Sequence, residues 1–174
     1  MKKTILIIGL ILITYIMIGK TFSEKIIIPN ESIRVRVIAN SNSNYDQEIK
    51  YKVTNVVKED ISKLISSTDN IYTFRNKIVS NIDLFDVDIN NLLNKNNYKL
   101  PVNINYGLNY FPKKEFKGIT YSEGYYESLV VTLGEGKGDN WWCVLFPPLC
   151  LIEAEESDNI EYTTLVSELL NKYF

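Results

Sequence analysis

The hydrophobic period of this chain changes once, and that change limits the folds open to it. From Asn44 to about Asn97 apolar residues recur at helical spacing, whereas from Val102 onward they alternate. In the first stretch Ile49, Val53, Val56, Val57, Ile61, Leu64 and Ile65 share one helical face. Asn44 is placed to cap that helix, with Gln47 completing a capping box. Glu48 with Lys52, and Glu59 with Lys63, are i,i+4 pairs in the favourable order. The run Ser66-Ser67-Thr68-Asp69 breaks the helix and caps a second one, marked by Ile71, Phe74, Ile78 and Ile82. A third helix begins near residues 83–88, carries Phe85, Ile89, Leu92 and Leu93, and ends where Asn96 or Asn97 turns left-handed.

In the second stretch Val102, Ile104, Tyr106, Leu108 and Tyr110 alternate with Asn103, Asn105, Gly107 and Asn109, a strand with one wet face. Residues 116–121 predict a weaker strand and 125–133 a stronger one, with Ser122-Glu123-Gly124 as the hairpin turn between them. An early strand, residues 32–39, alternates through Ile33, Val35 and Val37, and a terminal helix over about 163–173 aligns Leu165, Leu169 and Tyr173. One strand, three helices and then several strands predict an α+β fold. It would be a single domain over residues 24–174, with helices packed on one face of a largely antiparallel sheet.

The N-terminus predicts export. Lys2 and Lys3 precede residues 4–19, an uncharged apolar stretch that as a helix would span about 24 Å, against about 30 Å of bilayer hydrocarbon. That length suits the core of a signal peptide, and Thr21-Phe22-Ser23 is a loose cleavage signal. Residues 1–23 are therefore a signal peptide or an uncleaved membrane anchor, and either places the body outside the cytoplasm. Without Lys2, Lys3 and Lys20 the body has 16 basic residues against 21 acidic ones, about −5. This balance argues against nucleic acid, which requires clustered Lys and Arg. The chain has no histidine. Ser-His-Asp and Cys-His catalysis and His-containing zinc sites are thereby excluded within one chain.

One block is unusual in composition. Residues 134–150 read GEGKGDNWWCVLFPPLC: a glycine-rich loop, an aromatic-aliphatic run, a stiff Pro-Pro exit and two cysteines. This block resembles the ending of the stage II sporulation protein R family. The opening RVRVIANSNS over residues 34–43, followed by Asp46-Gln47, is similar to that family's start, and so is Gly124 with Tyr126-Glu127-Ser128-Leu129. The resemblance covers about residues 29–152. It implies an exported, non-enzymatic signal made in the forespore and released into the septal space between forespore and mother-cell membranes. There it would activate a membrane-embedded aspartic protease that cleaves the sigma-E precursor. No cofactor, metal or small-molecule substrate is expected; two cysteines without histidine are too few ligands for zinc unless two chains meet.

Particular residues carry competing readings. Trp141, Trp142 and Phe146 are candidate anchors for the partner protease, or they fill the domain's own core. Strand alternation points Trp141, Cys143 and Leu145 one way and Trp142, Val144 and Phe146 the other. Lys137 and Asp139 would sit at the rim of such an interface, on an exposed, flexible loop. Cys143 and Cys150 form a disulfide outside the cytoplasm, or remain buried thiols. An alternative function is hydrolysis of wall sugars by Glu127 and Asp139, and a further one is a passive structural domain at the septum.

Overall fold

The structure, a computed structural model, describes residues 7–8, 26–66, 69–151 and 159–174. The expected targeting helix lies outside these residues except for the helical pair 7–8. No helix among the described residues is long and apolar enough to cross a membrane.

The elements follow the change of period. After β1 (Ile26–Ile27) and β2 (Ile33–Ile38) come α1 (Asn44–Leu64), α2 (Ile71–Ser80) and α3 (Ile82–Lys95). Then follow β3 (Val102–Phe111), β4 (Lys114–Phe116), β5 (Ile119–Tyr121), β6 (Gly124–Leu133) and β7 (Asn140–Phe146). A 3₁₀ turn (Leu149–Leu151) and α4 (Asn159–Tyr173) complete the chain. The helix caps sit one residue from their expected places. Ser43, not Asn44, caps α1 by accepting from the Asp46 N–H at 3.1 Å. Asn70 caps α2 in a reciprocal box with Thr73. Asp69 instead accepts from the Ser66 N–H and pairs with Lys77 at 2.8 Å. Past α3, Asn97 takes the left-handed conformation expected of this site, with φ 54°.

Two sheets form. The larger has the order β3-β6-β2-β7, and the smaller β1-β5-β4. β3 runs antiparallel to β6 over ten paired positions, from Val102 opposite Leu133 to Phe111 opposite Gly124. β2 is parallel to β6 and antiparallel to β7, so the large sheet is mixed, with most of its pairings antiparallel. The expected hairpin at Ser122-Glu123-Gly124 does not form, because β5 and β6 belong to different sheets. The hairpin lies inside the expected weak strand, at Lys117-Gly118 between β4 and β5. Both turn residues have positive φ, 46° and 81°, the geometry a two-residue hairpin favours.

Helices α1–α3 cover one face of the large sheet, as expected. Ile49, Val53, Val57 and Ile61 of α1, Phe74 and Ile78 of α2, and Phe85 and Ile89 of α3 meet Ile33, Val35 and Val37 of β2 and Leu129, Val131 and Leu133 of β6. The terminal helix departs from the one-face arrangement. Through Tyr162 and Val166 it joins Ile28, Ile119 and Leu149 in a second cluster that includes Val144 of β7. A bulge also corrects the expected facing of β7. Ile33 pairs with Phe146 while Arg34 pairs with Val144, leaving Leu145 as the extra residue. Leu145 and Phe146 therefore both enter the main core, and Phe146 packs on Phe74 and Tyr173 instead of facing the side of Trp142.

Candidate interaction site

β7 and the loop before it form the most elaborated part of the surface. The loop over residues 134–139 is not free. It lies against residues 39–42, the stretch between β2 and α1. The Glu135 N–H donates to Asn40 Oδ1 at 3.0 Å, the Lys137 N–H to the Asn40 carbonyl at 3.0 Å and the Gly138 N–H to the Ala39 carbonyl at 2.9 Å. The Asp139 N–H donates to Asn42 Oδ1 at 2.6 Å. Two glycines are required by the fit. At Gly134, with φ +56°, a Cβ would lie 2.3 Å from Asn40 Oδ1, and at Gly138 it would lie 2.3 Å from the Ser41 carbonyl oxygen. Residues 134–139 are thus a braced element, which corrects their reading as a flexible loop.

The brace has its own anchor. Asp46, in the first turn of α1, is 7% exposed. Its Oδ2 accepts from Asn40 Nδ2 at 2.9 Å and from Ser41 Oγ at 2.5 Å. Burial alone would push this carboxyl up, but the hydrogen bonds from Ser41, Asn40 and Ser43 outweigh it and hold the group below the ordinary aspartate value. Gln47 adds bonds from its Nε2 to the Ser41 carbonyl and to Asn42 Oδ1. Two of the sequence blocks that carry the family resemblance, residues 34–47 and the start of residues 134–150, are therefore halves of one hydrogen-bonded unit.

The predicted site residues fall in different environments. Trp141 is half-buried against the main core, with Lys58 Nζ 5.9 Å from its ring. Trp142 is half-buried on the opposite face, edge-on to Phe111 at 5.5 Å and beneath Lys114 at 5.3 Å; its indole N–H has no acceptor. Phe146 is 1% exposed and belongs wholly to the domain's own packing. Lys137 is exposed and pairs with Glu135 at 2.7 Å. Cys143 and Cys150 are disulfide-bonded, with Cα atoms 5.6 Å apart, which ties β7 to the 3₁₀ turn.

Glu127 and Asp139 do not meet. The register sets Glu127 beside Ile33 at one end of β2 and Asp139 beside Ala39 at the other. They are separated by about 20 Å of strand, whereas paired glycosidase carboxylates stand about 5–9.5 Å apart. Glu127 is instead clamped by Arg75, whose Nε and Nη2 donate at 2.5 and 2.6 Å, and by the Tyr106 hydroxyl at 2.7 Å. Burial raises the Glu127 carboxyl, but these donors more than offset it and hold it below its ordinary value. Among the described residues no group of three or more Cys, Asp or Glu gathers as a metal site.

Sequence reasoning missed a cleft of about 580 Å³ beside β7. It is lined by Gln47, Lys50 and Tyr51 of α1, by Lys113 and Lys114, and by Asp139, Asn140 and Trp142. One signal was legible. Asp46 and Lys50 fall in the stripe that continues through Val53, Val57 and Ile61, and a lysine in a buried stripe needs a local reason.

The fold and this site define an α+β module in which two family-resembling blocks, one of them rich in aromatic residues, are locked together at the edge of a mixed sheet. The chain belongs to the stage II sporulation protein R family, whose pattern it matches over residues 29–156. It is 30% identical over 142 residues to Stage II sporulation protein R of Bacillus subtilis (strain 168), a match that covers 82% of this chain and 63% of that protein. The chain thus spans less than two thirds of the length of that curated relative. No solved structure matches.

Proposed function

We propose that this chain is an exported sporulation signal that acts by contact, activating the membrane-embedded aspartic protease that processes the sigma-E precursor. Membership of the family supports the sporulation role. The observation that carries the contact mechanism is the state of β7. Trp141 and Trp142 remain partly exposed on opposite faces of one strand, fixed by a disulfide at one end and a braced loop at the other. Aromatic residues held rigidly at a surface bind with little loss of side-chain entropy and dominate interface energies. The separation of Glu127 from Asp139 removes the carboxylate pair on which the hydrolase reading depended.

Activation by contact works through a population shift. The module would bind the protease's extracytoplasmic part more tightly in its active state, and only that difference in affinity moves the equilibrium. The test is co-expression of this chain, the protease and the sigma precursor in a host that does not sporulate. Precursor cleavage that depends on this chain is expected. Lack of cleavage with all three proteins present and correctly located would refute the proposal.

A further inference from the structure

We propose that the open edge of β7, between α1 and the β3–β4 turn, is a docking groove for an extended acidic segment of the partner protein. This rests on the contact reading above and assigns the contact a place and a chemistry.

Among the described residues β7 pairs on one side only, with β2. The outward N–H and C=O groups of such a strand are free to pair with another chain. The disulfide closes the far end by carrying Cys150 back against Val144, where Sγ lies 2.9 Å from the carbonyl oxygen. The available stretch is therefore residues 140–143. The cleft lies along the start of this stretch, with α1 forming one wall and Lys113 and Lys114 the other. An added strand would thus enter a groove with two walls and a floor that includes Trp142.

The charge of the groove selects the occupant. Its lining sets Lys50, Lys113 and Lys114 against one carboxylate, Asp139, with Glu115 outside the lining but in contact with Lys113, although the exported body as a whole is acidic. Lys50 is the most telling of these residues. It is 3% exposed, and its ammonium donates to two neutral acceptors, Gln47 Oε1 at 2.5 Å and the Asp139 carbonyl at 3.3 Å. An ammonium has three protons to donate; these acceptors take two, and the remaining side of the ammonium meets the Tyr51 ring, 4.7 Å from its centroid, a cation–π contact that a ligand carboxylate in the groove would replace. Burial lowers the Lys50 pKa, with Asp139 opposing from nearby, so a further carboxylate would favour its charged form. Lys114 lies over the Trp142 ring and has no ion pair among the described residues. Among the described residues Lys113 has only an exposed contact with Glu115, at 3.7 Å. A phosphate headgroup could satisfy the lysines, but it would leave the strand edge unpaired. A peptide strand bearing carboxylates satisfies both.

The chain contains two tryptophans, both on β7, so intrinsic fluorescence reports on this groove directly. The full chain in nonionic detergent would be titrated with the end-capped peptide Val-Glu-Val-Glu-Val. Parallel titrations would use its Gln and Lys counterparts, inorganic phosphate and phosphatidylglycerol vesicles. Saturable change with the Glu peptide is expected. It should weaken by about tenfold or more in the Lys113→Glu/Lys114→Glu double variant, whose exposed sites leave the core intact. The same variant should lower precursor processing. Equal response to the Gln or Lys peptide, undiminished binding by the double variant, or response to phosphate or vesicles but not to the Glu peptide would each overturn the groove. The two proposals fail separately. If wild-type chain does not trigger processing, the activator reading falls while the titration still judges the groove. If wild type and double variant trigger it equally, the groove alone falls.

Discussion

Replacing Asp46 should weaken the whole β7 platform, although this residue lies on a different element. Its Oδ2 receives two hydrogen bonds, from Asn40 and Ser41, and those residues support the loop that leads into β7. Hydrogen bonds to a charged group contribute about 1.5–3 kcal/mol each, and the two share one acceptor atom, so they do not add fully. Asp46→Ala should therefore cost about 3 kcal/mol at pH 7. Asp46→Asn keeps an acceptor oxygen and loses only the charge, so about 1 kcal/mol is expected. The acid dependence provides the sharper test. Because the folded carboxyl lies below its ordinary value, its contribution is complete above the unfolded pKa of about 3.9 and disappears as pH falls through the folded value. Urea denaturation from pH 7 to pH 2.5 should show wild type more stable than Asp46→Asn near neutrality, with the difference shrinking below about pH 4. Using the difference cancels the titration of Asp69 and Glu127, which are shifted in the same direction. A cost below about 1 kcal/mol for the alanine variant, or a difference between wild type and Asp46→Asn that does not change with pH, would refute the reasoning.

Four other outcomes are expected. Gly138→Ala places a Cβ 2.3 Å from backbone at Ser41 and should cost about 2 kcal/mol or more; Gly107→Ala, whose nearest neighbour is 3.6 Å away, should be nearly neutral in the same denaturation assay. Reducing the disulfide, which closes a loop of about eight residues, should lower stability by about 2.5 kcal/mol, measured with and without reductant. Phe146→Ala, at a fully packed core position, should cost about 3–5 kcal/mol and lose its near-ultraviolet dichroism, a folding lesion and not an interface lesion. Glu127→Gln should lower the melting temperature by breaking the Arg75 clamp while leaving sigma-precursor processing intact at a permissive temperature; complete loss of processing in a folded variant would contradict the structural role assigned to Glu127.

Much of the fold was legible because burial leaves a local trace. The apolar stripe of α1 and the alternation of β3 can be read from residues a few positions apart, and α1, β3 and β6 each formed within a few residues of their expected places. Errors came where a choice depended on distant partners. Ser122-Glu123-Gly124 carries a turn signal, but β6 found its antiparallel partner in β3. Phe146 alternates correctly with Trp142 in sequence, and only pairing with β2 introduces the bulge that moves it into the core. For the site, the tryptophans and cysteines stood out by composition. Lys113 and Lys114 carried no signal of their own, because nothing nearby in sequence indicates that they face Lys50 across a strand edge.

Sequence alone determined the α+β class, the family and the apolar faces of the helices that had to leave water, since these follow from periodicity and from an unusual run of residues. Tertiary structure alone decided which strands are neighbours, which edge stays open, and that the Asn-Ser stretch before α1 holds the glycine loop before β7. The physical reason is range. Side-chain direction repeats every two or 3.6 residues and is set locally, whereas strand pairing and the meeting of Asn42 with Asp139 join groups 97 residues apart and exist only when the whole domain has closed.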